Sequence, residues 1–421
     1  MSENTTTLNR GQWYALAAAL LGWMFDGVEM GLTPLVARPA LLDLLDLRNL
    51  PHTVSEPRVA VWFGPIIACF LLGAAGGGIL FGWLGDRLGR VRAMVISILA
   101  YSLFMGGGYF ATQPWHIGLC LFISALGMGG QWSLGVSLIM ECWPEKHRPK
   151  LSGVMGAASN VGFLMIAIVG ALFPPTPDSW RWFMLIGASP AVLALFVISK
   201  VPESERWKMA VKNVAKINPL KEIFTPPLLR KTLLAIAFTS IPLIGTWAAI
   251  SSWTPVWADK MAGDSMPYAK AIVQISMSIG AIIGCIVAPM VGAVIGRRPV
   301  YFGLCLLSLI ACQYMFRTTT AFNAWFVFVT GMVTCVTAAF YGWMPLYLSE
   351  LFPTRVRATG QGLSFNFGRI LAAVGTLFMA NLMQVFSGDY GRAGACITFI
   401  YVFGMVLIWF APETKGKPLP D

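Results

Sequence analysis

The feature that most restricts this chain is a succession of apolar runs, each long enough to cross a bilayer as a helix. Twelve can be counted. In the first half they cover roughly 12–37, 59–84, 92–112, 115–142, 150–173 and 181–199. In the second half they cover roughly 231–258, 268–294, 299–316, 322–348, 357–385 and 391–411. Inside hydrocarbon a backbone must satisfy its own polar groups, so such runs are expected to be helices and the fold class all-α. Of the 421 residues only 12% are charged, whereas soluble domains carry about 25%. The formal charge of +11 does not mark a nucleic-acid partner, because the basic residues stand in the short connections between runs. That is the positive-inside pattern.

With both termini inside, 21 Lys and Arg fall on the inner side and 8 on the outer, and Arg369 lies within the eleventh run. The expectation is a multi-pass protein of the inner (plasma) membrane with cytoplasmic termini. The polar first ten residues lead into no cleavable signal, so the first run is expected to target the chain. The one long basic connection, 200–231, divides a first bundle (1–200) from a loop (201–230) and a second bundle (231–421).

The halves repeat each other. Glu141, Pro144, Arg148 and Gly153 at the end of the fourth run match Glu350, Pro353, Arg357 and Gly362 after the tenth, all offset by 209. Gly73 and Gly77 match Gly280 and Gly284, and Gly89-Arg90 matches Gly296-Arg297, offset by 207. Glycines four apart let helices approach closely. A duplicated set of six helices is the plan of a two-bundle transporter.

Two acids, Asp26 and Glu29, stand near the middle of the first run. An ionisable group at bilayer depth costs roughly 2.5–3.5 kcal/mol or more, so it is rarely left there without a role. Their i, i+3 spacing puts both on one helix face. That face is expected to meet a water-accessible cavity and to serve a proton relay or a polar solute; the alternative is a structural hydrogen bond inside the bundle. Arg369 lies about twelve residues into the eleventh run, near mid-membrane at about 1.5 Å per residue. Its fork fits a carboxylate. The partner is either a substrate carboxylate or one of Asp26 and Glu29, and the sequence leaves both open. Further cavity candidates on central helices are Gln131, Asn160, Trp247, Trp253, Gln274, Tyr341, Trp343 and Asn366. Buried amides must be satisfied by each other or by a solute, whereas Trp and Tyr also serve as interface anchors.

The stretch Gly82-Trp83-Leu84-Gly85-Asp86-Arg87-Leu88-Gly89-Arg90-Val91-Arg92 resembles the signature between the second and third helices of the major facilitator superfamily. Pro202-Glu203-Ser204-Glu205-Arg206-Trp207 and Pro412-Glu413-Thr414-Lys415-Gly416 resemble the tags of its sugar porters. Asp26-Gly27-Val28-Glu29, the run Glu350 to Gly360 and Asn366-Phe367-Gly368-Arg369 are similar to the metabolite:proton symporters for aromatic acids and sialic acid. The resemblance implies twelve helices in two pseudo-symmetric six-helix bundles with a solute site between them. It also implies an inner gate. Asp86 would dock on the N-terminal end of the eleventh helix near 357–362. Glu141 would pair with Arg90 or Arg87, and Glu350 with Arg297 or Arg298; Arg148 and Arg357 belong to the same gate. The second copy carries Ala293 where the first has Asp86, so the gate should be asymmetric. In the fourth helix relatives carry an arginine where Leu121 stands and an acid where Gln131 stands. Proton coupling must then rest on Asp26 and Glu29, or be absent.

The expected function is alternating-access import of a small polar organic solute, an organic or sugar acid, with protons. The rivals are a neutral-sugar facilitator, a drug exporter and, more remotely, a transporter-like sensor. No enzyme is expected: His52, His116 and His147 fall in loops or at helix ends with no nucleophile around them. The eight cysteines show no metal spacing and read as small core residues, and no cofactor is expected. The chain should act as a monomer in the lipid bilayer. The outer segment 43–58, with Asp43, Asp46, Arg48 and Glu56, reads as a solvated loop rather than a lid.

Overall fold

The computed structural model describes residues 8–212, 218–263, 266 and 268–420, the side chains of 52, 53, 56, 57, 60, 376, 377, 379 and 380 excepted. Each apolar run is a helix. The first half holds α1 (Arg10–Leu44), α2 (His52–Leu88), α3 (Arg90–Gly107), α4 (Pro114–Cys142), α5 (Arg148–Leu172) and α6 (Trp180–Lys200). The second holds α7 (Leu228–Ala262), α8 (Ala269–Ile295), α9 (Arg297–Thr318), α10 (Ala324–Leu351), α11 (Arg357–Val385) and α12 (Tyr390–Phe410). Among the described residues eleven are long and apolar enough to span a membrane. The other, α11, has 29 residues and carries Arg357, Gln361, Asn366 and Arg369. Two short helices, Glu205–Lys212 and Pro219–Ile223, lie in the central connection.

The repeat read from the glycines is a repeat of contacts. A Cβ on Gly73 would lie 2.3 Å from the Phe122 carbonyl, and one on Gly77 would lie 1.9 Å from that of Leu126, so α2 and α4 touch backbone to backbone. In the second half Gly280 meets the Gly331 carbonyl at 2.0 Å and Gly284 that of Cys335 at 1.7 Å, joining α8 to α10 in the same way. The joints into α3 and α9 also match. Gly89 and Gly296 hold φ of 104° and 108°, where a side chain would be strained. The carboxylate of Glu203 then accepts from the Arg90 and Val91 amides, and that of Glu413 from the Arg297 and Arg298 amides. Each acid satisfies amide donors at a helix start.

The halves meet where α11 packs on α2 and α4, and where α5 packs on α8 and α10. Here too small residues set the distance. A Cβ on Gly362 would lie 2.2 Å from the Gly78 carbonyl, and one on Gly156 would lie 2.5 Å from that of Tyr341. Helix α7 is irregular: after Pro242 the stretch Leu243–Ser251 widens into a π-helix, and the Trp247 carbonyl accepts from both the amide and the hydroxyl of Ser252.

The segment 43–58 departs from the expected solvated loop. Helix continues to Leu44 and resumes at His52. Asp43 is held by Arg48, Arg181 and the Trp180 indole, and Arg48 also pairs with Asp178, so charge ties α1 to the start of α6. The Glu56 side chain lies outside the described residues.

Candidate functional site

At the end of the molecule where α2 gives way to α3, a four-charge cluster joins the halves. The Arg90 guanidinium donates to Asp86 Oδ1 at 2.5 Å and to Glu141 Oε1 at 3.0 Å, and reaches the Thr354 carbonyl of the second half at 2.7 Å. Asp86 accepts from the Thr359 amide at 2.8 Å, the Thr359 hydroxyl at 2.5 Å and the Ala358 amide at 3.2 Å, so it caps the start of α11. Arg357 closes the cluster by donating to Glu141 Oε1 at 2.9 Å and to the Pro420 carbonyl at 2.9 Å. All four charged side chains are 0% exposed. Two cations and two anions balance, which is the condition under which buried charges are tolerated.

In the second copy the Arg297–Glu350 pair stays within its own half. Arg297 binds Glu350 through two contacts, 2.7 and 3.0 Å, and Thr414 Oγ1 donates to the same carboxylate at 2.6 Å. Arg298 contributes its amide to Glu413, and Arg148 is spent on Glu145 and the Met140 carbonyl. Arg87 lies exposed over the Trp83 ring, outside the cluster. The cross-half ties thus join Asp86, Arg90 and Glu141 of the first copy to the start of α11, and Ala293 stands where the second copy would need the counterpart of Asp86.

Deeper in the bundle, Arg369 Nη2 of α11 stands 3.7 Å from Asp26 Oδ2 of α1. Asp26 is 0% exposed, and among the described residues neither of its carboxylate oxygens has a hydrogen-bond partner and Arg369 is its one cation. The guanidinium lies over Phe365 at 5.0 Å and Trp23 at 5.9 Å, and Phe365 stacks on Trp132 at 4.3 Å. Phe365 sits four residues before Arg369, hence on its face of α11. That spacing was the signal available for it.

Glu29 does not share this partner. It is 0% exposed, takes the Ser124 hydroxyl at 3.1 Å on one oxygen and has no partner for the other among the described residues, while the Ser124 hydroxyl also lies 3.0 Å from the Tyr101 carbonyl. The two acids expected on one cavity face therefore diverge. Asp26 meets the second half, and Glu29 faces α4 and α3. The 60° that separates i from i+3 on a helix is enough where α1 runs between the bundle interior and the interface.

Gln131 also points into the first bundle. Its amide donates to the Met94 carbonyl at 3.2 Å and Ser97 Oγ at 2.9 Å, and its oxygen packs where Gly22 lacks a side chain. Trp343 is 0% exposed and stacked with Tyr347 at 4.6 Å inside the second bundle. Both candidates are bundle interior rather than cavity lining, because their helix faces turn toward α3 and α9. Asn160, Trp247, Trp253, Gln274 and Tyr341 remain half-buried. The Trp253 indole nitrogen and the Tyr341 hydroxyl have no partner among the described residues, and Trp247 meets Phe163 of the first half at 5.9 Å. Asn366 is 0% exposed and adjoins Arg369.

The comparisons with known proteins agree with this fold. The family model described as Major Facilitator Superfamily matches residues 50–376. A probable 4-methylmuconolactone transporter of Cupriavidus pinatubonensis is 27% identical, over 95% of this chain and 90% of its own length. The cis,cis-muconate transport protein of Acinetobacter baylyi is 26% identical, over 90% of this chain and 93% of its own. The solved structure of the proton:xylose symporter XylE superposes with a TM-score of 0.78 at 19% identity, covering 97% of this chain and 98% of that one, which speaks to fold. The chain belongs to the Major Facilitator Superfamily and is a multi-pass membrane transporter.

Proposed function

We propose that this transporter imports a small organic acid together with protons, by rocking residues 1–200 against 231–421 around a site at Arg369. The observation that carries the reading is the Asp26–Arg369 pair, an ion pair across the halves at 3.7 Å in which both Asp26 oxygens lack a hydrogen-bond partner among the described residues. A guanidinium at bilayer depth needs an anion, and its fork fits a carboxylate better than a lone oxygen at 3.7 Å does. An arriving acid takes the fork and releases Asp26, which then carries a proton, since a buried carboxylate without a cation is costly. Glu29, with no cation within salt-bridge distance among the described residues, is the second proton carrier. The flanking Trp23, Phe365 and Trp132 suit a planar acid, and two relatives of this chain are named for muconate-type compounds. The four-charge cluster is the latch that closes the inner side; both termini lie there, in the cytoplasm of a cell whose inner membrane holds the chain as a monomer.

The neutral-sugar facilitator is favoured by one feature: the Trp253 indole nitrogen and the Tyr341 hydroxyl, unpartnered among the described residues, are left over for hydroxyls. Uptake into proteoliposomes separates the two. Labelled aromatic acids, cis,cis-muconate, sialic acid, sugar acids and neutral sugars are offered with and without an inward proton gradient, to wild type and Asp26→Asn. Gradient-driven accumulation of an acid, lost in Asp26→Asn, supports symport. Equilibration of a neutral sugar regardless of the gradient sinks it.

A further inference from the structure

Asn366 is where the arginine site and the contact between the halves share one side chain. Its Oδ1 accepts from Arg369 Nη1 at 3.3 Å. Its Nδ2 donates to the Gly362 carbonyl of its own helix at 2.9 Å and to the Gly129 carbonyl of α4, in the other half, at 3.3 Å. The amide cannot be reversed without facing a donor with a donor, because a guanidinium only donates and a carbonyl only accepts. The chain has also made room for this group. A Cβ on Gly78 would fall 1.7 Å from Asn366 Nδ2, a Cβ on Gly129 would fall 2.0 Å from the Ala74 carbonyl, and a Cβ on Gly362 would fall 2.2 Å from that of Gly78. Glycines of α2, α4 and α11 thus form a notch that one amide fills with 0% exposure.

We infer that Asn366 is a positioning residue that couples the engagement of Arg369 to the closed packing of the two halves. The inference rests on the reading of Arg369 as the site of the carboxylate. While the halves are together, Gly129 and Gly362 fix the amide, and the amide fixes one arm of the guanidinium so that its other arm faces Asp26 or a substrate. When α4 withdraws from α11, Nδ2 loses Gly129 and the amide is free to turn. The arginine then loses its anchor, and the site weakens on the side that has opened. Conversely, removing the arginine leaves Oδ1 buried with no donor, which loosens the amide from Gly129.

The test reads the separation of the halves directly and needs no solute. Spin labels are placed on Leu88 and Val294, which are 41% and 71% exposed at the latch ends of α2 and α8, in a chain freed of its other reactive cysteines. The ratio of near to far label distances is measured for wild type, Asn366→Ala, Arg369→Ala and the double variant. Asn366→Ala is expected to shift the ratio toward separated halves about fivefold in the wild-type background and less than about twofold beside Arg369→Ala, as for residues acting as one link. Equal shifts in both backgrounds would make Asn366 a packing residue only and overturn the inference. If Asn366→Ala does not yield monodisperse protein, Asn366→Ser, which keeps a short polar group in the notch, takes its place in the same cycle. Uptake of cis,cis-muconate and sialic acid by Arg369→Lys is run beside it. An unchanged KM there would remove the carboxylate reading while leaving the coupling measured by the labels intact.

Discussion

Arg357 of α11 donates to Glu141 of α4 at 2.9 Å across the two halves, with both side chains wholly buried. Glu141 is also the partner of Arg90 in its own half, so one carboxylate serves cations from both bodies. A charge cluster of this kind is held only while every member is present. Hydration of the four groups when the halves part offsets what their pairing contributed, which suits a latch that must open.

Removing Glu141 takes the carboxylate from Arg357 and leaves Arg90 with Asp86 alone. Glu141→Ala is expected to cost roughly 3–5 kcal/mol, the cost of breaking a buried pair. Glu141→Gln, which keeps shape and one acceptor, should cost less but still favour the parted halves. Thermal unfolding in detergent, read by intrinsic fluorescence, checks the order; equal midpoints for the two variants would contradict it.

Asp86 acts on the same closure from the other helix. It takes two amides and one hydroxyl at the start of α11, all across the halves. Asp86→Ala should leave protein in the membrane at near wild-type amounts and cut uptake about tenfold or more, in line with losing charge-assisted hydrogen bonds of about 1.5–3 kcal/mol. Normal uptake by that variant would mean that the latch does not limit the cycle.

Outside the membrane-spanning helices, Glu413 gives a pH dependence with a definite sign. Burial alone would raise its carboxyl, but the amides of Arg298, Arg297, Lys415 and Thr414 outweigh that and hold it below the usual carboxylate range. A carboxyl depressed in the folded state adds stability that is fully present above its unfolded value, about 4.3, and is lost as pH falls through the folded value. The melting temperature of wild type should therefore fall on the acid side of about pH 4.3 more steeply than that of Glu413→Gln. Parallel curves would show that the cap at Arg297 is not felt in the global transition.

Helix positions were legible in the sequence because hydrocarbon permits little else: α4 was expected over 115–142 and runs over Pro114–Cys142. The family resemblance implies Glu141 with Arg90 or Arg87 and Glu350 with Arg297 or Arg298, and the pairs formed are Arg90–Glu141 and Arg297–Glu350. Which way a side chain turns was not legible. Glu29, Gln131 and Trp343 face bundle interiors, and no helix period reveals this when both faces of a central helix are covered by other helices. Gly78 and Gly129 carried no mark of their own either. Their role depends on an amide 237 residues from Gly129 along the chain.

The glycines separate stability from conformational preference. Gly77 and Gly362 are alike in sequence, yet a Cβ on the first meets the Leu126 carbonyl at 1.9 Å within one half, and a Cβ on the second meets the Gly78 carbonyl at 2.2 Å across the halves. Gly77→Ala forces α2 from α4 inside a body that stays whole through the cycle, so it should lower the melting temperature, with an overpacking cost of about 1–3 kcal/mol. Gly362→Ala strains only the closed arrangement and is relieved when the halves part. It should therefore lower the melting temperature less and move the Leu88–Val294 label distances toward the separated state. If both variants lose stability equally and neither moves the labels, the α2–α11 contact is a static interface, and the rocking motion turns about some other pair of helices.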